Sequence, residues 1–170
     1  MPEIIADKQR YKFPDTWKVT KYDDWSFYRN QFQSVCDGSK GIDLIAIDSN
    51  NCCWLIEAKN YHLQSRTKPS ELPVEIAVKV RDTLAGLVVA KVNAPEPSEK
   101  SFATAALRCK KLRIALHLEQ PAKHSKLFPR AIDPADVLQR MKQLLKAIDP
   151  HPLVVDSNAG SQVAWSVEPD

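Results

Sequence analysis

Between Gly41 and Lys59 the chain reads G-I-D-L-I-A-I-D-S-N-N-C-C-W-L-I-E-A-K. Two apolar, partly β-branched runs, residues 42–48 and 52–59, flank the turn-forming S-N-N, and this pattern predicts a β-hairpin. Side chains alternate along a strand, so Asp43, Ile45 and Ile47 share one face and Leu55, Glu57 and Lys59 share another. In a hairpin turning near Ser49 and Asn50 the start of the first strand lies beside the end of the second, which brings Asp43 close to Glu57. Glu57 and Lys59 are neighbours, with Cα atoms about 7 Å apart at the rise of a strand. A strand that only fills a core has no need of these charges. Either they are solvated strand ends, Asp43 and Glu57 pairing in water with Lys40 and Lys59, or they meet as a site.

The flanking segments give the hairpin a scaffold. Trp25, Tyr28, Phe32 and Val35 recur at helical spacing, predicting a first helix over 23–35 with Asp23 or Asp24 as its N-cap. Residues 73–92 predict a central helix with Pro73 in its first turn, apolar around most of its circumference outside a wedge of Glu75, Lys79, Asp82 and Gly86. The stretch N-A-P-E-P-S-E-K-S reads as a loop. K-L-R-I-A-L-H-L, 111–118, alternates as a third strand, with Leu112, Ile114, Leu116 and Leu118 on one face and His117 on the other. A helix over 133–148 begins with Asp133 as N-cap and buries Val137, Leu138, Met141, Leu144, Leu145 and Ile148. L-V-V at 153 and Q-V-A-W-S-V at 162 read as small terminal strands. The predicted order is α, β, β, α, β, α, β, β: an α/β or α+β sandwich with a mixed central sheet, forming one domain over 1–170.

Two carboxylates held together at a half-buried sheet end repel each other, and proton uptake or a divalent cation relieves the repulsion. Magnesium suits oxygen ligands of this kind, with manganese able to substitute. Such an ion polarises a phosphoryl oxygen and lowers the pKa of bound water, and Lys59 beside it could orient that water or offset charge on the phosphate. In the loop that follows, Tyr61 offers a ring for stacking and Arg66 a phosphate contact; an ordinary exposed loop is the alternative.

The G-I-D, hairpin, I-E-A-K arrangement resembles the catalytic core of the PD-(D/E)XK, or restriction-endonuclease-like, nuclease superfamily. The resemblance covers about residues 23–118 and implies an αβββαβ core, with the helix and strands of 133–167 as additions. It further implies that Asp43, Glu57 and Lys59 are catalytic. Asp43, Glu57 and the carbonyl of Ala58 become metal ligands. Helices that follow the E-x-K strand in this superfamily often aim a polar residue at the site, which nominates Lys79 or Arg81, against a surface pair of Lys79 with Asp82. The glutamate that many relatives carry on the first helix has only Asp23, Asp24, Gln31 and Gln33 as stand-ins here.

Composition narrows the partners. The chain is 44% hydrophobic and 26% charged with four glycines, which excludes disordered and fibrous classes. No signal pattern opens the sequence and no run suits a membrane helix, so a cytoplasmic location is expected. Cys36, Cys52, Cys53 and Cys109 lie in or beside apolar segments without C-x-x-C spacing and read as buried thiols. The net charge is only +3, yet 108–130 carries Arg108, Lys110, Lys111, Arg113, Lys123, Lys126 and Arg130 against Glu119. That asymmetry suits a polyanion, with Lys110, Lys111, Lys123 and Lys126 as candidate phosphate contacts, although a solvated face gives the same pattern. The expected function is therefore a magnesium-dependent nuclease, a hydrolase of DNA or RNA. The alternative is a catalytically silent nucleic-acid-binding or scaffold subunit of a larger defence, repair or mobile-element assembly. A homodimer is compatible with either.

Overall fold

The computed structural model of the chain describes residues 1–62, 66, 71–121 and 132–170. A five-stranded mixed sheet forms its centre, ordered β3 (Lys18–Lys21), β4 (Leu44–Ile47), β5 (Cys52–Asn60), β6 (Lys111–Glu119) and β7 (Leu153–Val155). The β3–β4 and β4–β5 pairs are antiparallel, whereas the β5–β6 and β6–β7 pairs are parallel. The predicted hairpin is β4 and β5, with Leu44 opposite Ile56 and Ile47 opposite Cys53. Its turn is held by Asp48, whose carboxylate accepts from the Asn50 and Cys52 amides and from Trp54 Nε1. Asn51 takes a left-handed φ of 61° at that turn, a conformation asparagine tolerates better than most residues.

One face of this sheet is covered by helices. The parallel step from β5 to β6 is filled by α2 (Leu72–Asn93) and α3 (Pro97–Leu107), and α4 (Pro134–Leu145) follows β6. Ile45, Ile47, Leu55, Ile114 and Leu116 meet Ile76, Val80, Leu87 and Met141 in this core. The other face is covered by a second, three-stranded antiparallel sheet of β1 (Glu3–Ala6), β2 (Gln9–Lys12) and β8 (Ser166–Pro169). Between the sheets, Tyr11, Phe13, Trp17, Trp54 and Trp165 pack as an aromatic layer. The architecture is thus helix, mixed sheet, small sheet.

Several expectations are corrected. The first helix is not one rod over 23–35: a 3-10 turn at Tyr22–Asp24, a five-residue α1 (Ser26–Asn30) and further 3-10 turns at Phe32–Asp37 replace it. Trp25, Tyr28 and Phe32 are buried as their spacing predicts, but the chain leaves helical geometry at Val35, which is exposed. Neither Asp23 nor Asp24 caps α1; the N–H groups of Ser26 and Phe27 donate to Glu99, which reaches across from α3.

Residues 97–107, expected as loop at their start, form α3 because Pro97 occupies a position where the missing N–H costs nothing and an alanine-rich run follows. The wedge on α2 does not mark the solvent side. Glu75 and Lys79 point towards β5, and Gly86 lies where a Cβ would overlap the hydroxyl of Tyr22. Val88, Val89 and Val92 are exposed instead.

The helix expected over 133–148 forms as α4, with Asp133 accepting from Ala135 N, but it ends at Leu145, and Leu144 is exposed beside the stripe formed by Val137, Met141 and Leu145. The strand expected at 162 begins at Ser166, after a 3-10 turn at Gly160–Gln162. Cys52 and Cys53 are buried, whereas Cys36 is exposed on the irregular turn after α1.

Candidate functional site

Asp43, Glu57 and Lys59 converge, as the hairpin register predicts, at the end of β4 and β5 remote from their turn. Asp43 directly precedes β4, and its Oδ2 accepts from the backbone N–H of Ala58 at 2.8 Å, tying the two strands together. Glu57 lies on the central strand and is fully buried, not at a half-exposed edge. Lys59 Nζ sits 2.7 Å from Glu57 Oε1. From α2, Lys79 Nζ reaches the same oxygen at 2.5 Å and stands 3.7 Å from Asp43 Oδ1. Lys79 therefore pairs across the sheet with Glu57 and not along its helix with Asp82, which instead accepts from Lys40 N and Arg81. Arg81 is exposed and stays out of the cluster.

A second ring of charge surrounds this one. Glu75 lies 3.5 Å from Lys59 and 2.8 Å from Arg66, and Arg66 also donates to the hydroxyl of Tyr61. Arg66 and Tyr61 thus brace the cluster. Asp23 joins it from the 3-10 turn before α1: its Oδ1 is buried without a hydrogen-bond partner, and its carboxyl is pushed up by burial and by the field of Asp43. The sequence offered Asp23 both as a cap and as a stand-in for a first-helix glutamate; it stands in the 3-10 turn Tyr22–Asp24 that follows the short strand β3.

The electrostatics follow from burial. Glu57 is pushed up to about 7 by desolvation first and by Asp43 second, with Lys79 and Lys59 pulling the other way. Burial opposes charge on Lys59 and Lys79, but Glu57 and Asp43 outweigh it, so both ammoniums stay charged above the ordinary lysine range. The donors suit a hard cation in kind, since Glu57 Oε2 is buried without a hydrogen-bond partner. Both ammoniums nevertheless occupy the other oxygen, and no group of three or more His, Cys, Asp or Glu among the described residues is arranged to hold an ion. Ala58 enters through its N–H.

The remaining candidates separate from the cluster. Lys111 lies opposite Cys52, and Lys110 N donates to Asn51 O at 3.0 Å, so both stand at the turn end of the hairpin. Glu57 is paired with Leu116, five residues along β6 from Lys111, or about 17 Å at the rise of a strand. Lys110 and Lys111, candidate phosphate contacts, therefore stand at the opposite end of the hairpin from Asp43 and Glu57. Lys123 and Lys126 lie outside the described residues. His117 faces the small sheet, edge-on to Tyr11, and bonds Glu119 at 2.9 Å. No helix among the described residues is long and apolar enough to cross a membrane.

No family model matches the chain, and no solved structure does. The sequence is 38% identical, over 169 aligned residues covering 82% of the chain, to a cysteine–tRNA ligase of Neisseria meningitidis. The chain spans about a quarter of that ligase, 24% of its length. This finding overturns the expectation of a DNA-cutting hydrolase: the matched protein is named for joining an amino acid to tRNA, not for breaking phosphodiester bonds. The geometry is in keeping with the correction, because Lys59, the residue assigned to steer attacking water, is bound to a buried carboxylate.

Proposed function

We propose that this chain is an RNA-binding domain, similar to a segment of a cysteine–tRNA ligase, that holds tRNA without cutting it. The observation that carries the reading is the 38% identity across most of the chain to a protein whose name makes tRNA its substrate. The net positive charge supports it, since neutralising phosphates supplies most of the affinity of such domains. The cluster of Asp43, Glu57, Lys59 and Lys79 then acts as an internal brace, fixing α2 to the ends of β4 and β5.

The mixed sheet and the placement of Asp43, Glu57 and Lys59 also support a restriction-endonuclease-like core for this domain, with the shape kept and the hydrolysis absent. If magnesium or manganese binds, Asp43 and Glu57 would hold it, and it would supply charge neutralisation between the two carboxylates in place of Lys79. Calorimetric titration with manganese tests this, and heat lost in Asp43→Asn is the expected result.

Binding of a labelled tRNA transcript to the full chain tests the main reading. Salt-sensitive binding with the RNA recovered intact is expected. Absence of binding at low salt, or cleavage of the transcript abolished in Glu57→Ala, would overturn it.

A further inference from the structure

We propose that the turn end of the five-stranded sheet, where Arg108, Lys110 and Lys111 stand exposed, is the surface that grips the RNA phosphate backbone. The inference rests on the RNA-binding reading and names the face that performs it.

Three observations carry it. First, Arg108, Lys110 and Lys111 are exposed, and none has an ion-pair partner among the described residues. Cations at the other end of the sheet and beside it are committed: Lys59 and Lys79 to Glu57, Arg66 to Glu75, and Arg113 to Asp149, with its guanidinium 4.9 Å from the centre of the Trp54 ring. Second, the platform is fixed. Arg108 N and Cys109 N close the end of α3 on Ala105 O and Ala106 O, Lys110 N is bonded to Asn51 O, and Lys111 opens β6 in register with Cys52. The three side chains thus project from a tight corner between a helix end and a hairpin turn, so little backbone order is lost on binding. Third, the nearby acid is turned away: both oxygens of Asp48 are taken by the hairpin turn and by Trp54. Several unpaired cations on one fixed corner match successive phosphates of a backbone better than a small anion.

The test is fluorescence polarisation of labelled tRNA with the full chain between about 50 and about 250 mM KCl. Wild-type chain is expected to bind with a linear fall of log affinity against log salt. The R108A/K110A/K111A variant should lose about 2 to 3 from that slope, near one for each phosphate contact removed, and bind at least about tenfold more weakly at the lowest salt. Its melting temperature should be unchanged, because these exposed side chains make no ion pairs among the described residues. Wild-type affinity and slope in that variant, beside tRNA binding by the wild-type chain, would overturn the proposed surface while leaving the RNA-binding reading intact. Failure of the wild-type chain to bind would remove that reading, and the surface with it. Equal affinity for duplex DNA of the same length, lost equally in the variant, would overturn the assignment to RNA.

Discussion

The two ends of the five-stranded sheet treat cations in opposite ways. At the end where β5 finishes, Lys59 and Lys79 are mostly buried and share one oxygen of a fully buried glutamate. At the end where β5 begins, Arg108, Lys110 and Lys111 stand in solvent without such partners among the described residues. Solvation accounts for the difference. An ammonium taken from water must find a carboxylate or lose its charge, whereas an exposed one gains little from a partner and remains available to a polyanion. The sheet therefore carries an internally neutralised end that organises structure and an uncommitted end suited to binding.

That contrast is most severely tested by Glu57→Ala. Removing this carboxylate takes away the shared partner of two buried ammoniums, and should cost about 3–5 kcal/mol in urea denaturation. A cost below about 1 kcal/mol would show that the cluster is solvated and the contrast false.

Proton linkage gives a second, slightly smaller effect. Glu57 keeps its proton to about pH 7 in the fold, against an ordinary value of 4.5, so its contribution is fully present below pH 4.5 and is lost as pH rises through about 7. The loss should approach about 3 kcal/mol across that window. Asp23, raised too, adds with the same sign; His117, lowered by burial, works against it. Comparison of wild type with Glu57→Gln isolates the glutamate, and the variant should show the flatter profile between pH 5 and 7.

Gly86→Ala sharpens the comparison through packing. Its Cβ would overlap the Tyr22 hydroxyl, which forces α2 off its seat and carries Lys79 away from Glu57. A cost of about 1–3 kcal/mol is expected from thermal melts. At the other end of the sheet, the R108A/K110A/K111A variant should move stability by no more than about 0.5 kcal/mol, since surface substitutions away from specific contacts seldom do more.

Much of this arrangement could be read in the sequence, and what escaped it has physical causes. The hairpin and the meeting of Asp43, Glu57 and Lys59 followed from strand alternation alone, because the period of two fixes which residues share a face. The helices α2 and α4 followed from their apolar stripes and N-terminal prolines. The small sheet did not, since strands such as E-I-I-A and Q-R-Y-K are too short to establish a period. The helix α3 was masked by two prolines that mark its start and not its absence. The partner of Lys79 was misjudged towards Asp82 because local spacing favours residues one turn apart, whereas the sheet brings Glu57 beneath it from 22 positions upstream. The chemistry was the larger error: three residues in a familiar pattern specify where charges meet, but not whether they are free to react.

The most direct test of the account is an amide NMR titration of the full chain with intact tRNA. Shifts centred on Asn51, Cys52, Lys110 and Lys111 are expected, with the amides of Ala58, Lys59 and Lys79 unmoved. Shifts centred on Ala58, Lys59 and Lys79, with the turn end silent, would contradict it.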